Sequence, residues 1–425
     1  IAWEDLHTAL ALTWMAYAYF YVLRKALGTV KSALRDELAL SEPRLASLDT
    51  AFLSAYSAGL YVSGCLVDAL SPRTVLAVGL LSAAAAAALL PAVVPSATAG
   101  GGDGVLAWIP AYTIWFFHGL AQSVGHPAIQ RILGRRLKNN KWSGLYLGIW
   151  TTSQTVGGIV GNLCGGLFLR TVGWEAALRS PAYAAPVVVL ILRLSGWASL
   201  EVEDAVRSKV HDEDEDMEDG PSAPRGRGRR RCSRFFVSAH TCKRMLQGGG
   251  LPAQVYVAAG AAFFVKFVRY ALLFWLPYYN WAVLGYGASK AAVHASVFEL
   301  GGFFGSMSIG PISDRMHGAG ARRRALPSAV LMLAGAGLLG IVCPLVEGST
   351  LFSAAGRDMA VAATIFLVGV SVDGPESVVT GAMCNDLCEE CGLSASVGRV
   401  VGLVNGTGIL GALFAGPAVT MWARR

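Results

Sequence analysis

The sequence predicts an all-α polytopic membrane protein built from two similar six-helix halves. Three observations carry this. The 425 residues are 54% hydrophobic and only 15% charged, whereas soluble domains run to about 25% charged. Repeated apolar stretches reach the ~20 residues needed to cross a bilayer as helix. A pattern of charges in the first half returns in the second at a nearly constant offset. With a mean hydropathy of +0.49, the composition excludes a soluble enzyme, a disordered chain, a collagen and a secreted disulfide scaffold. The 50 glycines fit helices that pack backbone to backbone in lipid.

Taken in order, the spans are expected at about 6–28, 48–70, 74–95, 106–128, 143–168 and 181–199, then 252–280, 290–312, 325–346, 358–380 and 397–422. The first follows a helical pattern that runs on to about Leu34. Several contain Gly or Pro, which membrane helices tolerate where neighbours satisfy the freed backbone groups. Arg193, near the end of the sixth, is placed to snorkel to the interface. Eleven spans is an odd number for a fold made of halves. The chain closes on Met421-Trp422-Ala423-Arg424-Arg425 directly after a span and starts at Ile1 close to one. A twelve-helix protein lacking its twelfth helix is therefore expected, with a genuine eleven-span protein as the alternative.

Basic residues set the orientation. Arg73, Arg131, Arg135, Arg136, Lys138, Lys141, Arg315, Arg322, Arg323, Arg324 and Arg399 outnumber Lys31, Arg35, Arg44, Arg170, Arg179, Lys290 and Arg357 on the other side. The N-terminus and the long central loop are thus expected to be cytoplasmic. The organisation is an N-terminal half over 1–199, a charged linker over 200–250 and a C-terminal half over 251–425. The linker holds an acidic run, Asp212 to Asp216, and a basic run, Arg225 to Arg231. Such blocks are solvated or touch anionic lipid, and nucleic-acid binding is not expected. Cys384, Cys388 and Cys391 lack a partner His and a zinc-like spacing, so no metal site is expected.

The two halves repeat. Gly64-Cys65-Leu66-Val67-Asp68 with Pro72-Arg73 matches Gly310-Pro311-Ile312-Ser313-Asp314-Arg315, each after the second span of its half. Asp68 and Asp314 are 246 positions apart, and Arg24 and Arg269 are 245 apart. An Asp at a cytoplasmic helix end can pair with an Arg or with a helix N-terminus of the other half. Asp68, Asp314 and Arg315 are therefore candidates for a conformational latch, with Arg73 standing in for the Arg that Asp68 lacks directly after it.

An Arg at the centre of a membrane helix costs about 2.5–3.5 kcal/mol on insertion scales. Two are kept at matched places, Arg24 and Arg269, and both can meet at a cavity between the halves. Such a pair suits a phosphate, which Arg binds bidentately. Lys266 is three residues before Arg269 on the same face. Lys25 points about 100° from Arg24, with Glu299 as its candidate ion-pair partner. Tyr17, Tyr21 and Tyr270 lie near these cations by helical spacing. The alternative for every cation is snorkelling or a buried ion pair, and for the tyrosines simple packing.

These residues are similar to those of one known group. Arg24-Lys25 resembles its first-span Arg-Lys pair. His118-Gly119-Leu120-Ala121-Gln122 with Gly125-His126-Pro127 resembles its fourth-span pattern. Gly148-Ile149-Trp150 with Val156-Gly157 resembles its fifth span. Lys266-Phe267-Val268-Arg269-Tyr270 with Phe274-Trp275-Leu276-Pro277 resembles its seventh. Gly374-Pro375 and Asn405-Gly406-Thr407-Gly408 resemble its tenth and eleventh spans. The group is the organophosphate:phosphate antiporters of the major facilitator superfamily. The resemblance implies the major facilitator fold and exchange of an organic phosphate, such as glycerol-3-phosphate or a sugar phosphate, for inorganic phosphate. It implies that Arg24 and Arg269 hold the phosphate, aided by Lys266, Lys25, Tyr21, Tyr270 and Gln154. Gln154 stands where bacterial members carry a His, Leu60 where they carry a Lys, and His126 where the fourth-span pattern has Trp. A monomeric, multi-pass, non-enzymatic carrier without cofactors is expected, in the endoplasmic reticulum or another endomembrane, or in the plasma membrane. Transport of another organic anion and a non-transporting sensor on the same fold are the rival readings.

Overall fold

The computed structural model describes residues 2–38, 40, 42–94, 105–138, 140–194, 251–282, 284–286, 288–315, 321–348, 354–393 and 396–423. The central linker lies outside the described residues. The N-terminal half comprises α1 (Ala2–Leu38), α2 (Glu42–Ala69), α3 (Pro72–Leu89), α4 (Val105–Gln122), α5 (Gly125–Leu137), α6 (Ser143–Thr171) and α7 (Trp174–Leu192). The C-terminal half comprises α8 (Ala253–Ala282), α9 (Ala288–Asp314), α10 (Ala321–Gly348), α11 (Ala354–Ser377), α12 (Met383–Glu390) and α13 (Val397–Ala423).

The expected spans map onto these helices. α4 and α5 form one pass broken at Ser123-Val124. α11 and α12 form another, joined by a π-helical turn over Val378–Ala382. That turn follows Pro375, which lies inside α11 and removes one backbone donor from the ladder. The sixth span begins earlier than expected, at Trp174. Its Pro181 and Pro186 sit inside the helix, so the prolines do not mark its start. Arg193 is its C-cap residue. Eight helical stretches among the described residues are long and apolar enough to cross a membrane.

Large apolar side chains face outward. Leu106, Phe117, Leu163, Leu167, Val257, Phe264, Leu333 and Met359 are all exposed, as a lipid-facing belt requires. Within the N-half, α1 packs on α6 and α7; within the C-half, α8 packs on α13 and α9 on α11. The halves meet along two crossings, α2 with α13 and α6 with α9. Each crossing is made by glycines against backbone. A Cβ on Gly64 would strike the Gly398 carbonyl, and one on Gly310 the Gly144 carbonyl. Only Gly allows so close an approach of two helices.

Candidate functional site

The helices run alternately up and down, so Asp68, at the end of α2, and Asp314, at the end of α9, lie at the same end of the bundle. The first turns of α6 and α13 lie there too. At the opposite end a cavity of about 640 Å³ opens between the halves, a size that suits a small organic ligand. Tyr21, Arg24 and Lys25 line it from α1, Gln154 from α6, Arg269 and Tyr270 from α8, and Glu299 from α9. Lys31 and Asp49, an ion pair between α1 and α2, stand in its wall nearer the end of α1.

Arg24 is held by neutral groups. Its Nε donates to Gln122 Oε1 at 2.9 Å. Its guanidinium carbon lies 4.4 Å from the Tyr21 ring centroid, 4.6 Å from Tyr56 and 5.3 Å from Phe52, a cation–π cage. Behind it, Gln122 Nε2 donates to His118 Nε2 at 2.8 Å, and His118 Nδ1 donates to the Ala83 carbonyl at 2.8 Å. An amide nitrogen only donates and a carbonyl only accepts, so the imidazole is the Nδ1–H tautomer. His118 also stacks on Trp115, with centroids 4.2 Å apart. Arg24 forms no ion pair among the described residues. Gln154 accepts the Tyr21 hydroxyl at 2.7 Å.

Arg269 differs. Its Nε and Nη2 donate to the two Asp373 oxygens at 2.6 and 3.3 Å, and its Nη1 lies 3.0 Å from Glu376 Oε2. Lys266 does not reach the cavity wall. It lies behind it, with Nζ 3.1 Å from Glu376 Oε1. Asp373 and Glu376, three apart on α11, thus answer Lys266 and Arg269, three apart on α8. For Arg269 and Lys266 the buried ion pair, the alternative offered for these cations, is what forms: the C-half cations arrive already paired. The two acids flank Gly374-Pro375 directly in the sequence. The rule that flags a buried Arg flags a buried carboxylate equally.

Lys25 and Glu299 do not form the ion pair expected of them, although both line the cavity. Tyr17 packs in the core against Trp150 at 4.7 Å and His126 at 6.0 Å between centroids. His126 and Leu60 are likewise buried in packing, away from the cavity wall.

At the closed end the two aspartates act across the halves. Asp68 accepts the backbone N–H groups of Gly398 and Arg399 at 3.0 and 2.9 Å, the second and third residues of α13. Asp314 accepts those of Gly144 and Leu145, both at 2.8 Å, the second and third residues of α6. Each carboxylate is an N-cap supplied by the other half, placed at the positive end of a helix dipole. The arginines are not the expected ones. Arg131 of α5 pairs with Asp68, not Arg73. Arg324 of α10 binds Asp314 at 2.8 Å and also pairs with Asp386, while Arg315 is exposed. Arg324 further donates to Ser143 across the halves at 2.9 Å.

Cys384 and Cys388 are buried and Cys391 partly so, all as free thiols, and no group of metal-ligating side chains occurs among the described residues.

Comparison with known proteins agrees with this architecture. The Major Facilitator Superfamily sequence profile matches residues 13–417. A protein of Arabidopsis thaliana, named as a candidate glycerol-3-phosphate transporter, is 27% identical over 95% of this chain and 82% of its own. A glucose-6-phosphate exchanger of Mus musculus is 24% identical over 95% of this chain and 84% of its own. Sugar phosphate exchanger 3 of Gallus gallus is 27% identical over 87% and 71%. Among solved structures, a proton:xylose symporter superposes with a TM-score of 0.63 at 12% identity, over 100% of this chain and 90% of that one. With two packed helical halves, matched crossings, reciprocal caps and a profile match over nearly its whole length, this chain belongs to the major facilitator superfamily.

Proposed function

We propose that the protein exchanges an organic phosphate, glycerol-3-phosphate or a sugar phosphate, for inorganic phosphate by rocker-switch alternating access. The observation that carries this is the pair Arg24-Lys25. Both are cations in the cavity wall with no acidic partner among the described residues, and Arg24 is oriented by Gln122 and its aromatic cage. A guanidinium so held keeps most of its donors for an arriving phosphate. Arg269 faces the same cavity from the other half. The names carried by the relatives, glycerol-3-phosphate transporter and sugar phosphate exchanger, support the same substrate class. On this reading the bilayer is that of the endoplasmic reticulum or another endomembrane, the closed end is cytoplasmic, and the carrier works as a monomer.

Rocking about the two crossings would open the closed end by breaking the Asp68 and Asp314 caps. The test is exchange of labelled phosphate, in proteoliposomes, against glycerol-3-phosphate, glucose-6-phosphate and triose phosphates. Exchange with at least one is expected; binding without exchange would favour a sensor. The carboxylates beside Arg269 lower the positive charge of the site and so favour one rival, a carboxylate anion. Failure of free phosphate to compete with uptake would select it.

A further inference from the structure

The two cations of the C-half do not wait for a ligand to neutralise them. Two of the five N–H groups of the Arg269 guanidinium donate to Asp373, and its Nη1 forms an ion pair with Glu376 at 3.0 Å. Glu376 is shared with Lys266. Asp373 and Glu376 are 5% and 7% exposed and lie behind Arg269, which fronts the cavity. An anion meeting Arg269 therefore arrives beside two buried negative charges.

With all groups ionised, the site holds Arg24, Lys25, Lys266 and Arg269 against Glu299, Asp373 and Glu376, one net positive charge. A phosphate dianion would overshoot neutrality by one. Once the halves close over the anion, an uncompensated charge is strongly disfavoured, and one proton removes the excess. The groups facing the carboxylate pair are Lys266, Arg269 and Tyr270 from α8, Glu299 from α9 and His126 from α5. The lysine and arginine are cations bound to the pair, and the imidazole is buried among aromatic rings. Among these groups the carboxylates are the acceptors that a bound anion directly displaces from their partners.

We propose that Asp373 and Glu376 form a proton site, and that each phosphate entering the cavity is accompanied by one proton taken from water onto this pair. The anion accepts hydrogen bonds that Arg269 gave to a carboxylate. The released carboxylate oxygen takes the proton, and the site closes without net charge. This deepens the phosphate-carrier reading and rests on it. It makes passage of the anion a proton-coupled event, with the coupling group on the protein rather than on the substrate.

Binding calorimetry on the purified full chain at neutral pH, in buffers of different ionisation enthalpy, counts the protons taken up per anion bound. Two probes are needed, inorganic phosphate and sulfate. Sulfate is a tetrahedral dianion that holds no proton near neutral pH, so its uptake of a proton must be the protein's. About one proton per sulfate is expected in the wild type, and less per phosphate, because the share of phosphate that arrives as the monoanion brings the proton with it; the sulfate value should fall at least threefold in Asp373→Asn or Glu376→Gln. Proton uptake with phosphate but none with sulfate, a wild-type result that needs no variant, would overturn the proposal. So would undiminished uptake in both variants. Binding of neither anion would instead overturn the phosphate reading itself, and this inference with it.

Discussion

Replacing Asp314 by Asn tests the latch most directly. The carboxylate has a side chain only 1% exposed and receives two backbone N–H groups of α6 at 2.8 Å. Its bond to Arg324 stays within one half and survives opening, so only the contacts to α6 enter the balance between states. Asn keeps one acceptor oxygen and loses the charge. The loss is one charge-assisted hydrogen bond, about 1.5–3 kcal/mol, plus the attraction to a helix N-terminus, about 0.3–1 kcal/mol. A total near 3 kcal/mol moves the closed-to-open ratio at this end on the order of a hundredfold, at about 1.4 kcal/mol per tenfold. Lys138 and Arg315 are exposed at this end, one on each half. Spin labels at these two sites, with the 8 native cysteines replaced, report the separation by pulsed electron resonance. The longer-distance population should rise sharply in the Asn variant. A distribution unchanged within threefold would refute the cap as the device that holds this end shut.

Other perturbations have equally definite outcomes. Arg24→Lys loses the planar fork and the bond to Gln122, so the half-saturating phosphate concentration for exchange should rise at least tenfold, from a loss of about 1.5–3 kcal/mol. Gln122→Leu leaves Arg24 unoriented and His118 Nε2 without its donor; weaker phosphate binding with retained thermal stability of the carrier's fold would separate orientation from folding, and unchanged binding would show that the relay is idle. Gly310→Ala drives a methyl into the Gly144 carbonyl, an overpacking of about 1–3 kcal/mol. It should populate the state in which the crossing is open, measured with the same spin labels.

Much of the fold could be read from the residues. Span length and apolar content located the helices, and the matched pairs Arg24/Arg269 and Asp68/Asp314 located the repeat, because duplication keeps sequence offsets. The partners could not be read so well. Arg73 and Arg315 are near the aspartates in sequence, but the pairing residues Arg131 and Arg324 reach them from other helices, Arg131 across 63 positions. Proximity along the chain says little about which neighbour a helix end meets. Lys25 and Glu299 failed for the converse reason: opposite charges on one cavity wall need not lie within bonding reach. Asp373 and Glu376 are legible as the i, i+3 echo of Lys266 and Arg269, since a buried carboxylate in a membrane helix is as costly a signal as a buried cation.

The unlike treatment of the two arginines gives the cavity a direction. On the α1 wall a cation stands among rings and amides, while on the α8 wall its counterpart is already answered by carboxylates. The anionic end of a ligand should thus engage Arg24 first and reach Arg269 only as a carboxylate gives way. Its other end would then fall against α9, where Glu299, Leu300 and Phe303 form the wall. On that geometry the N-half captures the phosphate, and the C-half registers its arrival by giving up an ion pair.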